Sequence, residues 1–123
     1  MDKRFKVLVA DDSAFARRIA VSSLANTEFD VVAEAKTDKE TIELFRKVSP
    51  DLVLLDIIMP DEGGTTALKG IMEINPKAKV IMLSSLGTEE AITECLTLGA
   101  MTFLQKPFDV ARLVGALRKI TGG

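Results

Sequence analysis

The sequence predicts a doubly wound α/β domain: a five-stranded parallel sheet with five helices on its two faces, a three-layer sandwich. Three observations carry that reading. Apolar runs of strand length alternate five times with segments of helical period. The central run, Leu52 to Leu55, is apolar at every position, as in a strand covered on both faces, whereas a half-solvated strand alternates apolar with polar. The runs at 5–10 and 52–55 both end in acid, Asp11-Asp12 and Asp56. In open α/β sheets ligands bind beyond the carboxyl ends of the strands, so carboxylates there stand where chemistry is done.

Each element has its own signals. FKVLVA, residues 5–10, is the first strand, and Ser13 or Asp12 caps a helix in which Phe15, Ile19 and Leu24 recur at helical period. VVAEA, 31–35, is a shorter, more polar strand nearer a sheet edge. Thr37 with Glu40 forms a capping box ahead of Ile42, Phe45 and Val48, and Pro50 closes that helix. DLVLLD is the third strand; Gly63-Gly64 opens a helix carrying Leu68, Ile71 and Met72, ended by Asn75-Pro76. KVIML, 79–83, is the fourth strand, and Thr88 caps a helix bearing Ile92, Cys95 and Leu96, ended by Gly99. MTFLQ, 101–105, is the fifth strand, after which Asp109 caps a last helix with Val110, Leu113, Val114, Leu117 and Ile120. Five βα units with right-handed crossovers wind on both sides of the sheet. The acidic ends of strands one and three meet only if those strands are neighbours.

Composition narrows the function. At 123 residues the chain is one domain, and 16 basic against 18 acidic residues give it no electrostatic reason to bind nucleic acid or a membrane directly. No apolar run approaches the ~20 residues of a membrane span and no secretory leader is evident, so a cytoplasmic location is expected. With no histidine and one cysteine, Cys95, zinc sites, His-based triads and internal disulfides are excluded.

Asp11 and Asp12 after strand one, Asp56 after strand three, Ser84 after strand four and Lys106 after strand five are polar groups at four strand ends. Singly they read as a helix cap, a turn residue and a solvated lysine; together they make a site. Carboxylates a few ångströms apart repel one another, so such a trio calls for a cation. Oxygen donors with room for water suit Mg²⁺, with Mn²⁺ as the alternative. A divalent ion against a carboxylate, flanked by a hydroxyl and an ammonium, suits phosphoryl transfer. Asp56 is then the acceptor nucleophile, Lys106 neutralises developing charge and Ser84 hydrogen-bonds a phosphoryl oxygen.

These residues carry a resemblance. Asp11-Asp12-Ser13, Asp56-x-x-Met59-Pro60 with Gly64, Ser84, Gly99-Ala100 and Lys106-Pro107-Phe108 resemble the response-regulator receiver domain, the CheY-like family, over residues 1–123. The strand order 2-1-3-4-5 comes partly with it, since CheY is a standing example of that order. The resemblance implies that Asp56 accepts a phosphoryl group from the phosphohistidine of a histidine kinase. It implies Mg²⁺ on Asp12, Asp56 and the backbone carbonyl of Ile58, with Asp11 acting through water. It implies a cis Lys106-Pro107 peptide, Ser84 following the phosphoryl group, and Phe103 as an aromatic switch turning inward behind it.

It further implies a monomer that is a phosphoacceptor rather than an enzyme, acting on a downstream protein through the face of the fourth helix, fifth strand and fifth helix. Chemotaxis or motility control is one setting. A phosphorelay intermediate, or a receiver detached from a larger regulator such as a chemotaxis methylesterase, shares the same residues; Asp12-Ser13-Ala14-Phe15 and Ser84-Ser85-Leu86-Gly87 resemble the methylesterase receivers.

Departures from the pattern are informative. Gly63 replaces the usual acid before Gly64, which predicts a conformationally free loop after Asp56. The switch aromatic is Phe103, without a hydroxyl. Ile58 and Leu86, two positions after Asp56 and Ser84, put aliphatic side chains on the rim where polar ones would orient an attacking water, so the phosphorylated state is expected to be long-lived. An aspartyl-nucleophile phosphatase would place an acid where Ile58 stands. A flavin module would not place Asp11-Asp12 where a phosphate must sit.

Overall fold

The computed structural model describes residues 3–85 and 87–122. Five strands and five helices alternate: β1 (Phe5–Ala10), α1 (Ala14–Leu24), β2 (Phe29–Ala35), α2 (Asp38–Val48), β3 (Leu52–Asp56), α3 (Gly63–Ile74), β4 (Val80–Ser84), α4 (Glu89–Leu98), β5 (Thr102–Gln105) and α5 (Val110–Thr121). All neighbouring pairs are parallel and the sheet order is β2-β1-β3-β4-β5. No helix among the described residues is long and apolar enough to cross a membrane.

The unbroken apolar run of β3 is explained by two separate cores. Leu52 and Leu54 face one side with Val7, Val9, Ile81 and Leu83, packed under Leu24 of α1 and Leu113 and Leu117 of α5. Val53 and Leu55 face the other with Leu8, Val80 and Met82, under Phe45 of α2, Leu68 and Ile71 of α3 and Cys95 of α4. Successive side chains of a strand point to opposite faces, so a strand sandwiched by helices must be apolar at every position. All five β3 residues are buried, the terminal Asp56 among them.

Several local expectations are corrected. β2 starts at Phe29, not Val31: the aromatic ring belongs to the α1/α5 core and stacks on Phe5 with centroids 5.5 Å apart. β4 runs from Val80 to Ser84 rather than 79–83, and β5 starts at Thr102 rather than Met101. In α1 the expected helical period is observed, and the buried face is Ala20, Ser23 and Leu24, while Phe15 and Ile19 are 70% and 41% exposed. Ser13, Thr37 and Asp109 cap α1, α2 and α5 through their side chains. Glu40 returns its carboxylate to the N–H of Lys36, one residue before the cap. Thr88 occupies the N-cap of α4 without capping it: its hydroxyl donates to the carbonyl of Ser85 at 2.7 Å.

The loop after Asp56 is pinned rather than free. Gly63 has φ +85, and the Gly64 N–H donates to the Ile57 carbonyl at 2.8 Å. A Cβ on Gly64 would stand 2.1 Å from the Asp56 carbonyl oxygen, so that glycine is required by close backbone approach.

Candidate functional site

The carboxyl ends of β1, β3, β4 and β5 converge, and each contributes a polar side chain. Asp56 ends β3, with its Cα level with Leu83 of β4, and Ser84 is level with Gln105 of β5. Lys106 follows β5; its N–H donates to the Ser84 carbonyl at 2.7 Å, and the Lys106–Pro107 peptide is cis. Its ammonium bridges two carboxylates, 2.6 Å from Asp11 Oδ2 and 2.8 Å from Asp56 Oδ2. The remaining oxygens are also held: Asp11 Oδ1 accepts from the Ser13 N–H at 3.0 Å and Asp56 Oδ1 from the Ile58 N–H at 3.1 Å.

Burial divides the acidic trio. Asp11 is 1% exposed and Asp56 8%, whereas Asp12 lies at the surface. The Asp56 pKa is raised, first by burial, which disfavours the anion; hydrogen bonds from Lys106 and the Ile58 N–H oppose that, and the nearby charge of Asp11 adds to it. Burial works the other way on Lys106, yet the hydrogen bonds it donates to Asp11 and Asp56 outweigh it and its pKa is raised. Lys106 thus supplies internally part of the positive charge that the acidic trio calls for.

The donor set fits a hard divalent cation. One oxygen from each of Asp11, Asp12 and Asp56 lies within 4.8 Å of the others. Opposite ligands of an octahedral Mg²⁺ are about 4.2 Å apart, so the trio has the scale of one ion. Ser84 is 1% exposed and its Oγ has no hydrogen-bond partner. A buried hydroxyl left unsatisfied costs about 1–3 kcal/mol, which suits a site completed by an incoming acceptor oxygen.

Ile58 is 59% exposed, and its N–H donates to Asp56 Oδ1 at 3.1 Å. Leu86, the other residue expected on the rim, lies outside the described residues. Phe103 is 42% exposed on β5, beside Ala116, Lys119 and Ile120 of α5. Two features escaped the sequence reading. Phe15 and Ile19 line an apolar groove with Pro107 and Phe108, its floor reaching Asp11 and Lys106. Arg17 of α1 donates to the Asp11 carbonyl at 2.6 Å. Each had a signal in the sequence: apolar and basic residues within two turns of a helix that starts right after the acidic pair.

Fold and site together define a doubly wound α/β domain with an acidic, lysine-bridged centre at the switch between β1 and β3. The family model for the response regulator receiver domain matches residues 7–118, and the chain belongs to that family. It is 37% identical to the chemotaxis protein CheY of Thermotoga maritima over 94% of this chain and 97% of that one. A protein-glutamate methylesterase/protein-glutamine glutaminase of Caldanaerobacter subterraneus is 44% identical over 87% of this chain, but only 30% of its own length is matched. Among solved structures, the CheX–CheY–BeF3–Mg²⁺ complex of Borrelia burgdorferi superposes with a TM-score of 0.91 at 34% identity, covering 97% of this chain and 90% of that one.

Proposed function

We propose that this domain is a cytoplasmic phosphoacceptor of two-component signalling, in which Asp56 takes a phosphoryl group from the phosphohistidine of a histidine kinase. The observation that carries the reading is a buried carboxylate, held by an ammonium and standing near a buried hydroxyl without a partner, at the ends of adjacent strands. In the transfer a carboxylate oxygen of Asp56 bonds to phosphorus while the P–N bond of the phosphohistidine breaks, its electron pair leaving with the imidazole. Lys106 neutralises charge on the phosphoryl oxygens, and the Ser84 hydroxyl donates to one of them. Asp11, Asp12, Asp56 and the Ile58 backbone carbonyl would hold Mg²⁺ or Mn²⁺, which would supply further neutralisation of the transferred group.

The apolar groove of Phe15, Ile19 and Phe108 opens beside Asp11 and Lys106, where a phosphodonor protein must approach. On the other side of Lys106, exposed Phe103 and Met101 offer a surface on β5 and α5 through which the loaded state meets a downstream protein, with Phe103 turning inward as Ser84 follows the phosphoryl group. The identity to CheY proteins favours a chemotaxis output from a single receiver domain; the identity to a methylesterase supports a second reading, a receiver that regulates such a domain.

Incubation with a small phosphodonor and Mg²⁺ tests the reading. Wild type is expected to form an acid-stable, base-labile acyl phosphate, and Asp56→Asn none; label incorporated into the variant at the wild-type rate would move the acceptor elsewhere. Lys106→Ala should still accept the group but fail to change the β5–α5 surface.

A further inference from the structure

Arg17 touches the acidic centre from behind. Its guanidinium makes two hydrogen bonds from an only partly exposed position: Nη1 donates to the Asp11 carbonyl at 2.6 Å and Nε to Glu34 Oε1 at 3.1 Å. That carbonyl belongs to the peptide joining Asp11 to Asp12, so the guanidinium grips the plane from which two of the three carboxylates project. Asp11 is fixed at every polar group: its N–H donates to the Ala35 carbonyl, its carbonyl meets Arg17, and its carboxylate meets Ser13 and Lys106. Asp12 is exposed, and no hydrogen bond among the described residues holds its side chain. Its direction therefore depends on the peptide before it.

We propose that Arg17, anchored by Glu34 on β2, is a positioning residue for the divalent-cation site, fixing the Asp11–Asp12 peptide so that the exposed Asp12 carboxylate faces Asp56. The inference rests on reading the acidic trio as a cation site. A planar guanidinium suits the task, because one rigid group spans a carbonyl on the β1–α1 loop and a carboxylate on the neighbouring strand. Groups that orient metal ligands typically matter by about ten- to a hundredfold in metal affinity.

Charge alone predicts the opposite result. A cationic side chain this near repels a divalent ion, so removing it would tighten binding. The two accounts therefore differ in sign, and titration of the apo protein with Mn²⁺, read by the electron paramagnetic resonance of the free ion, separates them without phosphorylation. Positioning predicts that Arg17→Gln weakens Mn²⁺ binding about tenfold. Arg17→Lys, with the charge but not the fork, should lie between it and wild type, and Glu34→Gln should weaken binding in the same direction.

Tighter or unchanged binding in Arg17→Gln overturns the proposal, as does a loss of urea stability with unchanged Mn²⁺ affinity. If Arg17→Gln does not fold, Arg17→Lys and Glu34→Gln decide it: weaker binding in both supports the proposal, wild-type affinity in both overturns it. Absence of Mn²⁺ binding by wild type, or equal binding by Asp12→Asn, overturns instead the cation-site reading beneath it.

Discussion

The two ends of the sheet hold carboxylate–cation pairs of the same length with opposite consequences. At the N-terminal end Glu28 accepts from Arg118 at 2.8 and 2.9 Å in the open, and its pKa is lowered to about 2, first by that side-chain hydrogen bond. At the carboxyl end Asp56 lies 2.8 Å from Lys106, yet its pKa is raised because burial removes the water that would stabilise the anion. The lesson is that length does not decide what a pair does; solvent does, together with the second carboxylate competing for the same ammonium. One end is electrostatically at rest. The other keeps charge that is only partly satisfied, which suits the proposed binding of a cation and a phosphoryl group.

The largest effect should come from disturbing the backbone beneath the strained end. Gly64→Ala drives a Cβ to 2.1 Å from the Asp56 carbonyl oxygen and 2.7 Å from Ile57 Cα, both main-chain atoms that cannot step aside. A loss of about 3 kcal/mol in urea unfolding is expected, the upper part of the usual range for overpacking. Gly115→Ala, where a Cβ on α5 meets nothing within 4 Å, should instead gain about 0.5–1 kcal/mol. Equal effects at the two glycines would show that the loop after β3 has slack.

Next in size is the lifetime of the acyl phosphate. The exposed Ile58 side chain offers a water no hydrogen bond. Ile58→Asn together with Leu86→Glu is expected to speed autodephosphorylation about tenfold, or ~1.4 kcal/mol of barrier. Decay after donor removal, in Mg²⁺ and without a phosphatase, measures it. Unchanged or slower decay would mean that these side chains do not control the approach of water.

A smaller effect isolates the strain itself. A carboxyl whose folded pKa is raised contributes no penalty below its unfolded value of 3.8 and an increasing one as pH rises through the folded value. With chelator present, Asp56→Asn should therefore be more stable than wild type at pH 7, and that advantage should shrink as pH falls toward 3.8. Asp12→Ala should gain less, because Asp12 is exposed and its field is screened. A wild type more stable than Asp56→Asn at pH 7 would mean that the Lys106 pair outweighs the burial of Asp56.

Much of this contrast could be read in the sequence. The all-apolar β3 announced helices on both faces, and acid after two strands marked the working end, because both are local patterns tied to one-dimensional periodicity. The exposure of Phe15 and Ile19 was not legible, since helical period tells which residues share a face but not whether a neighbour covers it. The β5–α5 loop leaves that face open as a groove. Thr88 looked like a cap, and its hydroxyl was taken by a carbonyl three residues earlier. Arg17 escaped because its partners lie on the β1–α1 loop and on β2, a convergence visible only once β2 lies beside β1.

The smallest effect is expected at the relaxed end, and it tests the contrast most directly. Glu28 is partly exposed and Arg118 exposed, so ordering two long side chains in water largely cancels the attraction between them. Glu28→Gln should leave the urea midpoint at pH 7 close to that of wild type. The difference should appear as acid sensitivity. A carboxyl whose folded pKa is depressed contributes stability that is present above its unfolded value of 4.5 and is lost as pH falls through about 2. Wild type should therefore shed a small increment between those limits that Glu28→Gln never had, and the two melting curves should converge at the acid end. Added salt should reduce the increment, since the pair is open to screening, while leaving the penalty at buried Asp56 nearly intact. Acid titration of both variants at low and high ionic strength measures the two responses side by side. Equal salt sensitivity at the two ends would mean that Asp56 is hydrated after all, and that solvent is not what separates the two pairs.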